Sequence, residues 1–423
     1  MHVSSAWSRT ILGLIVIIAG LQVLHLIMLS RLEGHQQQEV EIVNNVQSYQ
    51  AEFEERPVIT VESEFSDLLR MLQRGGVLDT SGQYRVVPAL AAANGHATAL
   101  DLTLVTQCSV QHLSKVARLA ERWQGPLSVA VFAEEQDLGR VLWGIARLRV
   151  CLPAIRQHVA FHLVSPLGAA VHRAPILPPG ADAGCHPDDT DHQQDKNYAR
   201  SRVPYPVNLA RNVARRAVQT EFVFVVDVDM LPSAKLREMF LAFAAHAKLF
   251  DKSQRDDKTV YVVPAFEAKE GTEAPSTKNQ LLQMAKEGFI RPFYFELCWK
   301  CQMHTDYEAW QKESTKQHHL APFFEVLWKD PWEPFFISRN SAPLYDERFK
   351  QYGFNRISQV CELHVAGFKF SVLDNAFLVH DGFKTAATFH NTKETEQELN
   401  RILFRQFKSE LKDRYPESSR RCY

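Results

Sequence analysis

The chain has 423 residues, of which 45% are hydrophobic and 23% are charged, and its formal net charge at pH 7 is −1. This length suffices for one large domain or two fused subdomains. The near-neutral balance excludes the strong basic field with which proteins attract nucleic acid.

An apolar stretch near the N-terminus predicts a membrane anchor. Residues 11–29 contain no ionised side chain and only Gln22 and His25 as polar interruptions. At about 1.5 Å per residue the stretch comes close to the roughly 30 Å of a bilayer's hydrocarbon core. It is long for a secretory signal peptide, and no small-x-small cleavage site follows it. We therefore predict a cytosolic tail over residues 1–10 and a single transmembrane helix over 11–29, with the remainder luminal, as in type II membrane proteins.

The chain beyond the anchor divides by composition. Residues 35–56 are rich in Gln, Glu and Asn and poor in aromatic residues, which makes them too polar to bury a core. We interpret residues 30–74 as a stem and residues 75–423 as the folded domain, with a first half over about 96–265 and a second over about 266–423.

Strands and helices alternate through the first half. Apolar periodicity predicts strands at Leu102–Gln107, Leu127–Phe132 and His158–Val164, and helices at Val110–Trp123, Glu134–Leu148 and Val207–Val218. The alternation predicts an α/β fold in which helices cover both faces of a mostly parallel sheet. Residues 168–202 show no clear periodicity, so we interpret them as an insertion or a mobile flap.

A further apolar strand, predicted over residues 222–230, contains Asp227 and Asp229. Alternate side chains of a strand share a face, so the two carboxylates are expected to project together. Two oxygen ligands suit Mn²⁺ or Mg²⁺. Ligands of such sheets bind at the carboxyl ends of the strands, where Thr106 and Gln107 also lie. The alternative interpretation is a strand end with solvated acids.

The helix before this strand carries Asn208, Arg211 and Asn212, which share a face because they are spaced at i, i+3 and i+4. If that face lines the crevice, Arg211 and Asn212 contact a nucleotide. Otherwise the three residues form a solvated helix surface.

The second half is rich in aromatic residues. An aromatic wall with a few carboxylates suits a glycan, although core packing is the alternative for most of these residues. Glu333, Asp346 and Glu347 stand beside aromatic residues that could tune a general base. The aromatic residues are Phe293, Tyr294, Phe295, Trp299, Trp310, Trp328, Trp332, Phe335 and Phe336.

Seven cysteines in a chain expected to face an oxidising lumen predict disulfides, with at least one cysteine left unpaired. Cys298, Cys301 and His304 could instead belong to a zinc site, which would need a fourth ligand. A structural disulfide role is the favoured interpretation.

Several motifs together resemble one family. The chain is similar to the β-1,4-glucuronyltransferases of α-dystroglycan O-mannosyl glycan synthesis, a LARGE-related glycosyltransferase family, from about residue 75 to residue 422. Besides the anchor, the motifs are Tyr205-Pro-Val-Asn-Leu-Ala-Arg-Asn212, Val226-Asp-Val-Asp-Met230, Asp330-Pro-Trp-Glu-Pro334, Tyr345-Asp-Glu-Arg-Phe349, Tyr352-Gly-Phe-Asn-Arg-Ile357 and Val379-His-Asp-Gly-Phe-Lys384.

The resemblance implies a GT-A fold with a Rossmann-like mixed sheet, a nucleotide-sugar half followed by an acceptor half, and a place in the Golgi membrane. The implied reaction transfers glucuronic acid from UDP-glucuronic acid, with Mn²⁺ or Mg²⁺, to a xylose-terminated glycan on α-dystroglycan. The new β1,4 bond arises by inversion at the donor carbon. A complex with LARGE-type or other Golgi transferases is a further expectation, whereas a nucleic-acid partner is not expected.

The resemblance also implies roles for individual residues. Asp227, Asp229 and His380 would hold the metal ion, which neutralises charge on the departing UDP. Gly382 and Lys384 would approach the phosphates of the nucleotide sugar. Its other candidate contacts come from the predicted crevice and helix face and are Thr106, Asn208, Arg211 and Asn212.

A cation should hold the donor's carboxylate, and a guanidinium does so with two hydrogen bonds. Arg291 and Lys278 are the candidates. Related enzymes carry a Glu-Asp pair soon after a Trp-Gly or Tyr-Gly element, but this chain has Asn355-Arg356 there. The base is therefore left to Asp346 or Glu347, which are favoured, or to Glu333 or Glu362.

Two other functions stay open at this stage, because a fold does not fix the sugar. One is a β-1,3-N-acetylglucosaminyltransferase acting on lactosamine chains. The other is a non-catalytic Golgi partner of another transferase.

Overall fold

The structure, a computed structural model, describes residues 19–31, 59–167, 185, 203–314, 319–385 and 392–422. The chain divides into two compact units, Met1–Ile59 and Thr60–Tyr423. None of the described helices combines the length and the apolar composition that a membrane crossing needs. The predicted cytosolic tail, residues 11–18 of the predicted anchor and nearly all of the 168–202 loop lie outside the described residues.

The second unit is built on two sheets. The strands are β1 (Val77–Leu78), β2 (Tyr84–Ala91), β3 (Leu102–Ser109), β4 (Leu127–Phe132), β5 (Val159–Pro166), β6 (Phe222–Val225), β7 (Met230–Pro232), β8 (Thr259–Val263), β9 (Ala265–Ala268), β10 (Ile290–Pro292), β11 (Pro322–Val326), β12 (Phe335–Arg339), β13 (Lys369–Leu373) and β14 (Leu378–Asp381). The large sheet has the strand order β1-β2-β5-β4-β3-β6-β12-β8-β13-β11 and the small one has the order β10-β9-β14-β7.

The described helices begin with α1 (residues 19–31) in the first unit. Those of the second unit are α2 (Val61–Gln73), α3 (Lys115–Trp123), α4 (Leu138–Cys151), α5 (Pro153–His158), α6 (Val207–Arg216), α7 (Leu236–His246), α8 (Lys278–Lys286), α9 (Tyr307–Lys312), α10 (Asn355–Val365) and α11 (Lys393–Arg414).

The large sheet is mixed, which confirms the predicted α/β fold. Strands β5, β4, β3 and β6 run parallel, and they contain the alternation read from the sequence. Strand β12 is antiparallel to β6 and β8, and β2 is antiparallel to β5. The expectation of a mostly parallel sheet therefore holds for the central block and for the β8–β13 pair, whereas the other strand pairs of the large sheet are antiparallel.

The folded unit begins earlier than predicted. Helix α2 falls in the predicted stem, yet Val61, Phe65, Leu68 and Leu72 on its inner face are buried in the core. The ring of Phe65 packs edge-on against Trp143 of α4. The prediction assigned this short amphipathic stretch to the polar stem that precedes it. A helix needs only one apolar face to pack against a core, so a stretch of mixed composition can still belong to the folded unit.

The cysteines form disulfides, as predicted. The pairs are Cys151–Cys185, Cys298–Cys301 and Cys361–Cys422, and Cys108 is free and buried. The Cys298–Cys301 bond excludes the alternative in which both sulfurs bind zinc.

Candidate active site

Asp227 and Asp229 lie in a turn, and not on one strand as predicted. Strand β6 ends at Val225 and β7 begins at Met230. The backbone N–H of Met230 donates to the carbonyl oxygen of Asp227 at 3.0 Å, which closes a turn between the two sheets. The two carboxylates therefore do not share a strand face, and each has its own set of neighbours.

Asp227 is held by two arginines. Arg211 Nη2 on α6 donates to one carboxylate oxygen at 2.9 Å, and Arg356 Nη2 on α10 donates to the other at 2.5 Å. Burial by itself would raise the pKa of Asp227, but the charges of Arg356 and Arg211 hold that pKa below its usual value. Arg211 is fixed in turn by Asn208 Oδ1 at 3.0 Å and Asn355 Oδ1 at 2.9 Å.

Asp229 faces His380 of β14. The distance from His380 Nε2 to Asp229 Oδ2 is 3.1 Å. Burial opposes the charge of Asp229, but His380, and beyond it Lys384 and Lys115, hold the pKa of this carboxyl well below its usual value. The antiparallel pairing of β14 with β7 positions His380, because His380 lies opposite Met230 in that pair.

The hydrogen bonds of His380 fix where a cation fits. His380 Nδ1 lies 2.7 Å from the carbonyl oxygen of Gly382, which can only accept, so Nδ1 carries the proton. The other ring nitrogen then turns a lone pair toward an ionised oxygen of Asp229 unless a positive charge lies between them. A proton or a divalent cation supplies that charge, and imidazole with carboxylate is a donor set that Mn²⁺ accepts.

The third predicted ligand is not gathered with these two. The described residues contain no group of three His, Cys, Asp or Glu side chains arranged to hold a metal ion. Asp227 is turned toward its arginines instead. The predicted triad is thus represented by the Asp229–His380 pair.

Basic groups surround this pair. Lys384 follows β14, and its backbone N–H donates to the buried Glu267 at 3.2 Å. Gly382 has a φ of +89°, and a Cβ built on it would meet no atom within 4 Å. The backbone here is therefore open to a ligand. Lys115, the first residue of α3, was missed by sequence reasoning, although a helix start just after a strand's carboxyl end is the usual place for phosphate.

Glu333 is the predicted base whose surroundings suit that role. Burial raises its pKa to about 7, and the charged groups that act on it are Arg356, Asp227 and Arg211. Its backbone is anchored, because its N–H donates to the carbonyl oxygen of Cys301 at 2.9 Å. Nowhere in the described part of the chain does a hydrogen bond reach its carboxylate, which leaves the oxygens available to a substrate.

The favoured candidates for the base are engaged elsewhere. Asp346 accepts from Arg348 Nη2 at 2.6 Å, and Glu347 is paired with Arg216 at 2.8 Å. Glu362 is paired with Arg414 at 2.6 Å. These three carboxylates are therefore already paired with arginines of the same chain.

The polar face of α6 is internal. Asn208 Nδ2 donates to the carbonyl oxygens of Asp346 and Asn355, and Asn212 exchanges two hydrogen bonds with the backbone of Tyr345. Both asparagines are fully buried. Neither open interpretation of this face describes them, because they fasten the loop before α10 to α6.

The remaining predicted contacts differ in their surroundings. Thr106 is fully buried within β3, three residues before the strand's last residue, and its hydroxyl is without a hydrogen-bond partner among the described residues. Arg291 donates to Glu267 at 2.6 Å and to Glu296 at 2.5 Å. Lys278 donates to the carbonyl oxygen of Asp374 at 2.8 Å. The predicted uses of these three residues as donor contacts stay predictions.

The aromatic segment is mainly core. Most of the predicted wall is buried, and its exposed members are Phe295 and Trp299, at 50% and 40%. Their rings touch edge to face with centroids 5.7 Å apart. Core packing is thus the better description of the set as a whole.

Comparison with known proteins shows which family of proteins the chain resembles. The profile of a family described as "Glycosyl-transferase for dystroglycan" matches residues 101–416. Beta-1,4-glucuronyltransferase 1 of Danio rerio is 38% identical and aligns over 100% of both chains, and that of Mus musculus is 44% identical over 86% of this chain and 87% of its own. The xylosyl- and glucuronyltransferase LARGE1 of Mus musculus is 27% identical over 74% of this chain and 35% of its own.

Proposed function

The chain belongs to the family of glycosyltransferases for dystroglycan, and we propose that it transfers glucuronic acid from UDP-glucuronic acid to a β-linked xylose in β1,4 linkage. The relatives named for this activity align over most of the chain and support the proposal. The mixed sheet agrees with the GT-A arrangement that the resemblance implies. The observation that carries the proposal is the Asp229–His380 pair with Lys115 and Lys384 acting on it.

A divalent cation, Mn²⁺ or Mg²⁺, fits this pair. Asp229 and His380 would hold it, and it would supply positive charge for the departing diphosphate. Lys384 and Lys115 add positive charge that acts on the same carboxylate. Asp227, which is bound by Arg211 and Arg356, keeps the turn in place.

Glu333 is the proposed general base. An inverting transfer needs a base on the acceptor side of the donor sugar, opposite the leaving group. The oxygen of the acceptor hydroxyl bonds to the anomeric carbon while its proton passes to Glu333, and the bond from that carbon to UDP breaks with its electron pair. A carboxyl with a pKa of about 7 is half ionised near neutral pH and is well matched to take up this proton.

The setting of the reaction is part of the proposal. A Golgi membrane location with a luminal catalytic unit is supported by the three disulfides, which form in oxidising compartments. The proposed acceptor is a xylose-terminated glycan on α-dystroglycan, and a LARGE-type transferase is a proposed partner. The single-pass anchor over residues 11–29 rests on the sequence alone.

Sugar transfer by the purified full-length chain tests the function. The assay supplies Mn²⁺, a β-xyloside and either UDP-glucuronic acid or UDP-N-acetylglucosamine, with an Asp229→Asn variant alongside. We expect metal-dependent glucuronyl transfer that the variant lacks. Transfer from UDP-N-acetylglucosamine alone would move the chain to a different donor, and activity in the variant equal to the wild type would contradict the proposed site.

A further inference from the structure

A uronic acid donor needs a cation for its carboxylate, and the two candidates from the sequence are both engaged. Arg291 sits between two carboxylates, Glu267 and Glu296, so this cluster carries a net negative charge. The Nη2 nitrogen of Arg291 is enclosed, and the guanidinium carbon lies 4.1 Å from the centre of the Phe383 ring. A third carboxylate would be repelled there.

Lys278 is engaged in a different part of the second unit. Its ammonium donates to the carbonyl oxygen of Asp374 and lies 4.0 Å from the centre of the buried Trp310 ring. Burial also lowers its pKa to about 8. The charged groups that act on it are Asp374 and Glu313, and neither belongs to the turn that carries Asp227 and Asp229.

Arg356 differs from Arg291 and Lys278, because it lies beside Asp227 and has guanidinium N–H donors that form no hydrogen bond with the described residues. Within the described part of the chain, its side chain makes one hydrogen bond, from Nη2 to Asp227. Arg211, the other guanidinium on this carboxylate, donates also to Asn208 and Asn355. A guanidinium has five N–H donors, so Arg356 keeps one edge that no described protein group uses.

The surroundings of Arg356 hold that edge in a defined orientation. Its guanidinium carbon lies 3.8 Å from the centre of the buried Phe335 ring, and its side chain is 11% exposed. Stacking on an aromatic face leaves the donors pointing sideways in one plane, which is the geometry that grips a carboxylate at two points. Glu333, the proposed base, is among the groups whose charge acts on it.

The charges around Asp227 suit a donor carboxylate better than those around Arg291 do. Two guanidiniums face Asp227, and Glu333 is the other carboxylate that acts on Arg356, so arginines and carboxylates balance here. Arg291, in contrast, faces two carboxylates alone. We propose that Arg356 binds the carboxylate of the sugar donor and so selects a uronic acid over the corresponding neutral sugar. This inference rests on the proposed function and names the residue behind its donor specificity. The Asn355-Arg356 pair, which replaces the expected acidic pair, thereby acquires a function.

Donor binding tests the inference without requiring turnover. The dissociation constants of UDP, UDP-glucose and UDP-glucuronic acid are measured by calorimetry with the full-length chain and Mn²⁺, for the wild type and for Arg356→Gln, Arg356→Lys and Arg291→Gln. UDP-glucose differs from UDP-glucuronic acid by a CH₂OH group in place of the carboxylate. Thermal unfolding of each variant checks the fold.

We expect the wild type to prefer UDP-glucuronic acid, and Arg356→Gln to lower this preference by roughly tenfold or more with UDP binding unchanged. Arg356→Lys should restore part of the preference, because a lysine offers charge without the two-point contact. Arg291→Gln should keep it.

Three results would overturn the inference. In the first, Arg356→Gln weakens the binding of all three ligands equally, which would mean that Arg356 only supports Asp227. If Arg356→Gln does not fold, the same result with Arg356→Lys leads to the same conclusion. If Arg291→Gln abolishes the preference, the specificity residue is Arg291. A wild type without any preference would instead contradict the proposed function itself, which separates the two failures.

Discussion

Asp227 and Asp229 are two residues apart, yet they belong to differently built regions. Asp227 follows the end of β6 in the large sheet. Helices α6 and α10 each contribute an arginine that donates a hydrogen bond to it. Asp229 leads into the small sheet, where β14 places His380 beside it. The sheets meet at a turn, so one motif divides its carboxylates between an arginine cluster and an imidazole.

The difference teaches that spacing in a motif does not make its members equivalent. A carboxylate that accepts from two guanidiniums has its charge satisfied and gains little from a cation. A carboxylate that faces a ring nitrogen of histidine can share a divalent cation with that nitrogen. We therefore propose metal binding in the Asp229 region and structural and anion-binding roles in the Asp227 region.

The largest expected effect follows from removal of Asp229, the carboxylate proposed to bind the metal ion. Asp229→Asn should lower glucuronyl transfer by about a thousandfold, because a bound metal supplies several kcal/mol of transition-state stabilisation. Its unfolding temperature should stay near that of the wild type, because the amide of the new asparagine can donate to His380 Nε2, which the carboxylate faces. Transfer rates at several Mn²⁺ concentrations check this, and equal metal affinity in Asp229→Asn and wild type would break the comparison.

Removal of the proposed base should come next. Glu333→Gln should lower the turnover number by about a hundredfold or more while leaving UDP binding unchanged. The base works when ionised, so the wild-type rate should rise with pH through about 7, the raised pKa of Glu333, and this rise should be absent in the variant. Asp346→Asn and Glu347→Gln are the controls, and a larger loss in either would return the role to the 346–347 pair.

Sequence patterns predict those parts of this site whose residues lie close together along the chain. Strand β4 has the predicted bounds, and α6 begins at Val207 as predicted. Apolar periodicity reports local burial, so it finds such elements. It does not report partners: Arg356 is 129 positions from Asp227, and only the assembled sheet brings them together.

The base illustrates the same limit at a single residue. Proximity to aromatic residues selected Glu333, Asp346 and Glu347 alike. What separates them is the arginine that each carboxylate meets, since Arg348 and Arg216 pair with the latter two. The Glu347–Arg216 pair depends on how the loop before α10 folds against α6, for which the sequence has no local signal. Arg348, in contrast, is only two positions from Asp346.

The stability of the two regions offers a sharper comparison. Asp227→Asn leaves two guanidiniums without their counter-charge, and we expect it to lower the free energy of unfolding by about 2 kcal/mol. Loss of one partner of a fully buried pair costs about 3–5 kcal/mol, and Asp227 is 28% exposed. Asp229→Asn should cost about 1 kcal/mol, because the new amide can keep the hydrogen bond to His380 Nε2 and no guanidinium loses its counter-charge. Urea unfolding of both variants measures the difference, and equal losses would show that the arginine cluster adds no special stability.

The smallest expected effect concerns the backbone beside His380. Gly382 has a φ of +89° and Gly271 has a φ of +74°, and an added Cβ would meet nothing within 4 Å at either position. Alanine at either position should therefore cost about 1 kcal/mol of stability through backbone strain alone. Gly382 also provides the carbonyl that orients His380, whereas Gly271 lies in the loop between β9 and α8. Gly382→Ala should accordingly weaken UDP-glucuronic acid binding by about threefold to tenfold, and Gly271→Ala should leave it unchanged. Equal binding by the two variants in calorimetry would mean that the strain at residue 382 does not reach the imidazole.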